Sequence, residues 1–179
     1  MGYFNAIDLT VTQAMQAWTI PGLLLLARAV SWFGEFWVAI ISVIITAVIL
    51  LFFSYRREAI FTLAVLTAPT LNYFLKLIIN RPRPNSELIK VFTSLTDSGF
   101  PSGHVSYYVV FFGFLIFLAL KHKSWPSFLR LILLVISIAL IILISFSRIY
   151  LGAHWLSDIL GGYIFGAIIL SALIYFYKQ

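Results

Sequence analysis

The chain has 179 residues, 62% of them apolar and 10% charged, with a mean hydropathy of +1.03. That composition excludes a water-soluble domain and leaves room for a single integral membrane domain. The net charge of +6 is dispersed in small groups, which argues against nucleic acid and suits anionic lipid or phosphate partners. The absence of cysteine removes disulfides, thiolate catalysis and cysteine-based metal sites.

Taken in order, the N-terminus shows no removable signal peptide. Residues 1–35 mix Asn5, Asp8, Thr10, Thr12, Gln13 and Gln16 with Ile7, Leu9, Met15, Trp18 and Ile20, then reach Pro21-Gly22 and a Leu-rich piece holding Arg28. With no polar-free run of about 18 residues, one or two helices lying in the membrane interface are expected there. Residues 36–53 carry no charge. At ~1.5 Å per residue they cover about 27 Å and form a first span. After the polar turn at Ser54–Glu58, residues 59–79 form a second span carrying Pro69, Asn72 and Lys76. Residues 80–103 are too polar for lipid and read as a long loop. Spans at 105–120, 129–146 and 159–177 follow, with a short basic loop at Lys121–Pro126.

The expected fold is therefore all-α, a multi-pass transmembrane bundle of five spans, six if residues 1–35 also cross. It forms one domain over 1–179, with 1–35 as the interfacial segment and 36–177 as the bundle. Arg56, Arg57, Lys121, Lys123, Arg130 and Lys178 fall on one face. The positive-inside bias makes that face, and the C-terminus, cytoplasmic.

Three polar clusters fall on the other face. Lys76 is followed by six residues and then Arg83-Pro84, with Pro82 and Pro84 stiffening the chain around Arg83. Taken singly, these cations could equally snorkel among headgroups. Pro101-Ser102-Gly103-His104 enters the third span. Such a turn presents backbone N–H groups and a hydroxyl to an anion beside an imidazole, although Ser102 could equally be a plain helix cap. Ser147-Arg148 precedes His154 and Asp158, and on a helix the last two would lie one turn apart, the carboxylate orienting the imidazole. Topology brings the three clusters to one face, where three fixed cations suit the charge of a transferring phosphoryl group.

In this order, Lys-x6-Arg-Pro, Pro-Ser-Gly-His and Ser-Arg-x5-His-x3-Asp resemble the three signature motifs of the type 2 phosphatidic acid phosphatase (PAP2) superfamily, which also contains glucose-6-phosphatases and vanadium-dependent haloperoxidases. Every motif position is matched between Lys76 and Asp158. The resemblance implies that Lys76, Arg83 and Arg148 clamp the phosphate, with Ser102 and Gly103 donating further hydrogen bonds. It also implies that His154 is the nucleophile, Asp158 its orienting partner and His104 the acid that protonates the leaving oxygen. Many bacterial members that act on lipids have six spans, one more than the five counted here.

The function expected is a metal-independent lipid phosphatase of the inner membrane, with its site on the outer face and no cofactor. It would cleave the terminal phosphate of a phospholipid or isoprenyl diphosphate held in the bilayer, through a phosphohistidine. Phosphatidic acid, phosphatidylglycerol phosphate, undecaprenyl diphosphate and lipid A phosphates all present the same terminal group. The alternatives are a haloperoxidase-like vanadate enzyme and a non-enzymic lipid or phosphate transporter. A proton donor and a nucleophile placed together argue against a carrier, and the solubility of related haloperoxidases argues against the vanadate enzyme.

Overall fold

Pro69 explains the first irregularity of the fold. Its ring collides with the carbonyl four residues back and it offers no N–H, so a helix can hold it only in its first turn. The long second span accordingly breaks near Val65 and restarts at Thr67. The computed structural model describes residues 6–179; Asn5 and the rest of the first five residues of the expected interfacial segment lie outside them. The described residues form α1 (Ala6–Gln16), α2 (Leu23–Trp32), α3 (Phe36–Phe52), α4 (Arg56–Ala64), α5 (Thr67–Ile79), α6 (Gly103–Lys121), α7 (Ser127–Tyr150) and α8 (Leu156–Lys178).

The chain is an all-helical membrane protein. Four stretches are long and apolar enough to cross a bilayer, namely α4 with α5, α6, α7 and α8. α2 and α3, joined across a 57° bend, make a fifth if the pair crosses as one broken span; α3 coincides with the first expected span, and α2 lies in the stretch expected to be interfacial. Wide apolar faces on α3, α7 and α8 remain exposed, as side chains facing lipid should. At the centre runs α6, the most buried span, with Tyr107, Tyr108, Val110, Phe111, Phe114 and Leu118 in the core.

Away from the motifs, the buried Glu58 closes the opposite end of the bundle. It accepts hydrogen bonds from Tyr177 Oη (2.6 Å) and lies 3.0 Å from His122 Nε2, so α4, α8 and the loop after α6 are tied together.

In α1 the usual amphipathic pattern is inverted. Asp8, Thr12 and Gln16, four apart and thus on one face, are buried, whereas Ile7 is exposed. Gln16 binds the backbone of Lys90 on both sides (2.7 and 2.9 Å) and donates to Tyr150 O (2.9 Å). Of the polar residues that interrupt the apolar run, Asp8, Gln13 and Gln16 dock the helix onto the loop at 80–102.

The bend between α2 and α3 requires glycine. A Cβ on Gly34 would stand 2.3 Å from His104 Cδ2, so the bend packs directly on the first turn of α6. Gly34→Ala is expected to lower the thermal midpoint of the detergent-solubilised protein, because overpacking of this kind costs about 1–3 kcal/mol. An unchanged midpoint would show that the bend opens freely.

Candidate active site

Arg148 lies in the last turn of α7, and the chain then reverses tightly. Ala153 N–H and His154 N–H both bond Arg148 O (3.1 and 3.3 Å), and the turn passes through Gly152 at φ +66°, a conformation suited to glycine. The five-residue spacing thereby places His154 beside Arg148. His154 itself precedes α8 rather than sitting in it, which differs from the one-turn helical pairing expected from the sequence. Asp158 reaches it by another route, as the third residue of α8 folding back to accept the Trp155 N–H (2.9 Å). Its Oδ2 lies 3.5 Å from His154 Nδ1.

Lys76, from the last turn of α5, donates to Ser98 O (2.8 Å) and pairs with Asp97. Arg83, held between two prolines in the loop, donates to Ala153 O (2.7 Å) and to Asp97 Oδ1 (2.7 Å). It also lies 3.0 Å from His154 Nε2. A guanidinium can only donate, so Nε2 must present its lone pair and the ring proton belongs on Nδ1, towards Asp158. Ser102 stands at the N-cap of α6, yet its hydroxyl makes no cap hydrogen bond. The N–H groups of Gly103 and His104 precede the first intrahelical bond, Ser106 N–H to Ser102 O (3.1 Å).

Buried polar side-chain atoms are normally paired. Among the described residues, those left without a hydrogen-bond partner are Ser102 Oγ, His104 Nε2, Arg148 Nε and Nη2, and His154 Nδ1. All of them belong to the second and third motifs. Burial, followed by the charges of Arg83, Arg148, Lys76 and His104, holds the His154 imidazole well below the ordinary histidine value and keeps it neutral at pH 7.

Four contributors escape a reading of the sequence alone. Ser31 of α2 accepts from Arg148 Nη1 (2.6 Å), and Glu35 in the α2–α3 bend lies 3.6 Å from His104 Nε2. Arg81 donates to Asp158 Oδ1 (2.5 Å). Asp97 is the fourth, a half-exposed carboxylate spanning Lys76 and Arg83 beside a cavity of about 460 Å³ lined by residues 80–83 and 95–98. Burial alone would raise the Asp97 carboxyl, but the hydrogen bond from Lys76 and the charges of Arg83 and Lys76 outweigh it and hold it below its ordinary value.

The PAP2 superfamily model matches residues 57–179. The chain belongs to the PAP2 superfamily. This PAP2 chain is 30% identical over 99 residues to phosphatidylglycerophosphatase B of Bacillus subtilis (strain 168), a match covering 55% of the chain and 47% of that relative. It is 38% identical over 72 residues to YbjG of Escherichia coli (strain K12), whose name provisionally assigns it undecaprenyl-diphosphatase activity; that match covers 40% of the chain and 31% of YbjG. The matches thus span about half or less of those relatives. The fold is shared with a crystal structure of a transmembrane PAP2 type phosphatidylglycerolphosphate phosphatase from Bacillus subtilis, at TM-score 0.84, 23% identity, and 96% and 84% coverage of the two chains. It is shared also with LpxE of Aquifex aeolicus, at TM-score 0.74, 21% identity and 96% coverage of both.

A carboxylate bridging two cations competes with any other anion for them. Exposed ion pairs are worth up to about 1 kcal/mol each, so Asp97→Asn is expected to tighten orthovanadate binding by about 2- to 10-fold, read by calorimetric titration. Weaker binding would show instead that Asp97 holds the cations in place.

Proposed function

We propose that this PAP2 protein removes the terminal phosphate of a membrane lipid through a phosphohistidine at His154. The observation that carries this reading is the buried set of donors without partners, Ser102 Oγ and Arg148 Nε and Nη2, gathered with a neutral imidazole whose Nε2 lone pair faces Arg83. Lys76, Arg83 and Arg148 neutralise the phosphate oxygens, and Ser102 Oγ and the Gly103 N–H add hydrogen bonds. His154 Nε2 forms the bond to phosphorus as the bond to the leaving oxygen breaks, and His104 gives that oxygen a proton. Asp158 accepts from Nδ1–H and balances the positive charge that grows on the ring. Water then attacks phosphorus, returns a proton to His104, and releases inorganic phosphate and free His154.

The substrate class is a phospholipid phosphate or an isoprenyl diphosphate, in keeping with the names of the relatives. The site sits on the outer face of the inner membrane with the C-terminus cytoplasmic, as the loop charges favour, and α1 lies in the outer interface with its polar face against the loop. A bilayer-held substrate keeps its tails in lipid while its headgroup meets the motif end of the bundle.

Phosphate release from a short-chain lipid by purified protein tests the reading. His154→Ala should abolish turnover of every phosphate ester. His104→Ala should lose on the order of 10²–10⁴ in kcat/KM on the lipid, whose alkoxide needs a proton, and far less on an aryl phosphate. Equal losses on both esters would assign His104 to binding instead. The depressed His154 value has its own consequence in the pH profile. A histidine shifted downwards stays neutral, and nucleophilic, as pH falls through about 6.5. Once corrected for ionisation of an aryl ester, kcat/KM should therefore hold its plateau through that pH and decline only well below it. A decline centred near 6.5 would contradict the neutral buried imidazole.

A further inference from the structure

Behind His154 and Asp158 lies a second layer of charge that the fixed positions of the three motifs do not contain. Arg81 precedes Pro82 in the loop, and its Nη1 donates to Asp158 Oδ1 (2.5 Å) and to Ser157 Oγ (2.7 Å). Its Nη2 donates to Asp8 Oδ2 (3.1 Å). Asp8 belongs to α1, outside the stretch that matches the superfamily model. It accepts the Ser157 N–H on Oδ1 (2.8 Å) and the Ser157 hydroxyl on Oδ2 (2.7 Å), so α1 is fastened to the first turn of α8. Asp8 and Asp158 are both buried, at 1% and 0% exposure, with the Arg81 side chain largely covered between them.

The geometry sets two tasks in opposition. Asp158 has one oxygen turned to Trp155 N–H and His154 Nδ1 and the other to Arg81. The guanidinium fixes the carboxylate, but alone it would also neutralise it. In surroundings poor in water a charge at such range is felt strongly. Asp8 restores the balance, since its carboxylate sets a second negative charge against the same guanidinium. Asp158 can then be held still and remain a counter-ion to the imidazole.

We propose that Asp8 and Arg81 are a positioning pair for the histidine chemistry: Arg81 fixes the Asp158 carboxylate, and Asp8 offsets Arg81 so that Asp158 keeps its negative field on His154. The inference rests on the phosphohistidine reading above. It gives α1 a part in turnover beyond attachment to the loop, and gives a task to Arg81, one of the six variable residues within the Lys-x6-Arg-Pro motif.

The test is steady-state kinetics on an aryl phosphate with full-length protein in detergent, for Asp8→Asn, Arg81→Gln and Arg81→Lys. Asp8→Asn keeps nearly the same shape and one acceptor oxygen, which can still receive the Ser157 N–H, while removing the charge. Loss of a charge-assisted contact predicts a fall of about 10- to 100-fold in kcat for Asp8→Asn and Arg81→Gln, with KM and orthovanadate affinity nearly unchanged. Arg81→Lys, which keeps the charge and loses the fork, should recover part of the rate.

The pH profile separates positioning from mere support. His154 is faced by Arg83 from the loop, Lys76 from α5, His104 from α6, Arg148 from α7 and Asp158 from α8, with Arg81 and Asp8 behind the last. Removing the positive Arg81 should move the acid limb of kcat up by about one pH unit, and removing the negative Asp8 should move it in the opposite direction. Unchanged kcat, a raised KM with kcat kept, or limbs that move together would overturn the proposal. So would joint loss of vanadate binding and thermal midpoint in Asp8→Asn, since the pair would then be structural. Should Arg81→Gln fail to fold, Asp8→Asn decides alone through its kcat and the sign of its shift. Wild-type protein inactive on every phosphate ester would instead remove the phosphatase reading and leave these variants nothing to position.

Discussion

Cations held out of water govern the architecture. Arg148 is wholly buried, and Arg83 and Lys76 are nearly so, in a protein whose exterior is largely hydrocarbon. Charges so placed are expensive unless paired. Here the carboxylates within reach are deployed unevenly. Asp97 spans Lys76 and Arg83 from a half-exposed position, Asp158 and Asp8 are committed to Arg81, and Glu35 lies near His104. Arg148 is left with a neutral serine hydroxyl and two bare nitrogens. A bundle that tolerates this arrangement must be rigid around it. The tight reversal after α7, the prolines flanking Arg83 and the packing of Gly34 against His104 all restrain the groups that carry the charge.

The spans and the motif end were legible because hydrocarbon length and charge placement leave little freedom in a bilayer. The runs at 105–120, 129–146 and 159–177 each appear as a helix, extended by two to four residues at an end. Less legible was everything set by a bend. The α2–α3 joint follows from close packing at Gly34, and no local pattern announces that Ser31 and Glu35 will face Arg148 and His104. Asp8 was visible only as an interruption of an apolar run, because a polar face turned inward looks the same in sequence as one turned towards headgroups. Asp97 could have been suspected, as an acid in a loop beside two motif cations, but spacing alone gives it no partner.

The region before residue 57 therefore does more than add a membrane anchor. It adds hydrogen bonds around the motifs from two directions, α2 reaching Arg148 and α1 reaching Ser157 and Arg81. The loop at 80–102 is caught between α1 and the end of α7, with Gln16 gripping Lys90 on one side and Leu151 O receiving Phe92 N–H (2.9 Å) on the other.

Asp158 closes the first turn of α8 with the same oxygen that faces His154. On the proposed mechanism, folding and chemistry share one atom, and mutational tolerance at position 158 cannot be divided between them. An alanine there would remove a helix cap worth about 1 kcal/mol and one of the two carboxylates that pair with Arg81, whatever happened to the imidazole. Selection for a folded chain alone would keep an acceptor at this position even in a lineage that had lost its activity. The survival of an aspartate here is for that reason a poor marker of a working site, and the pairing of His154 with Arg83 a better one.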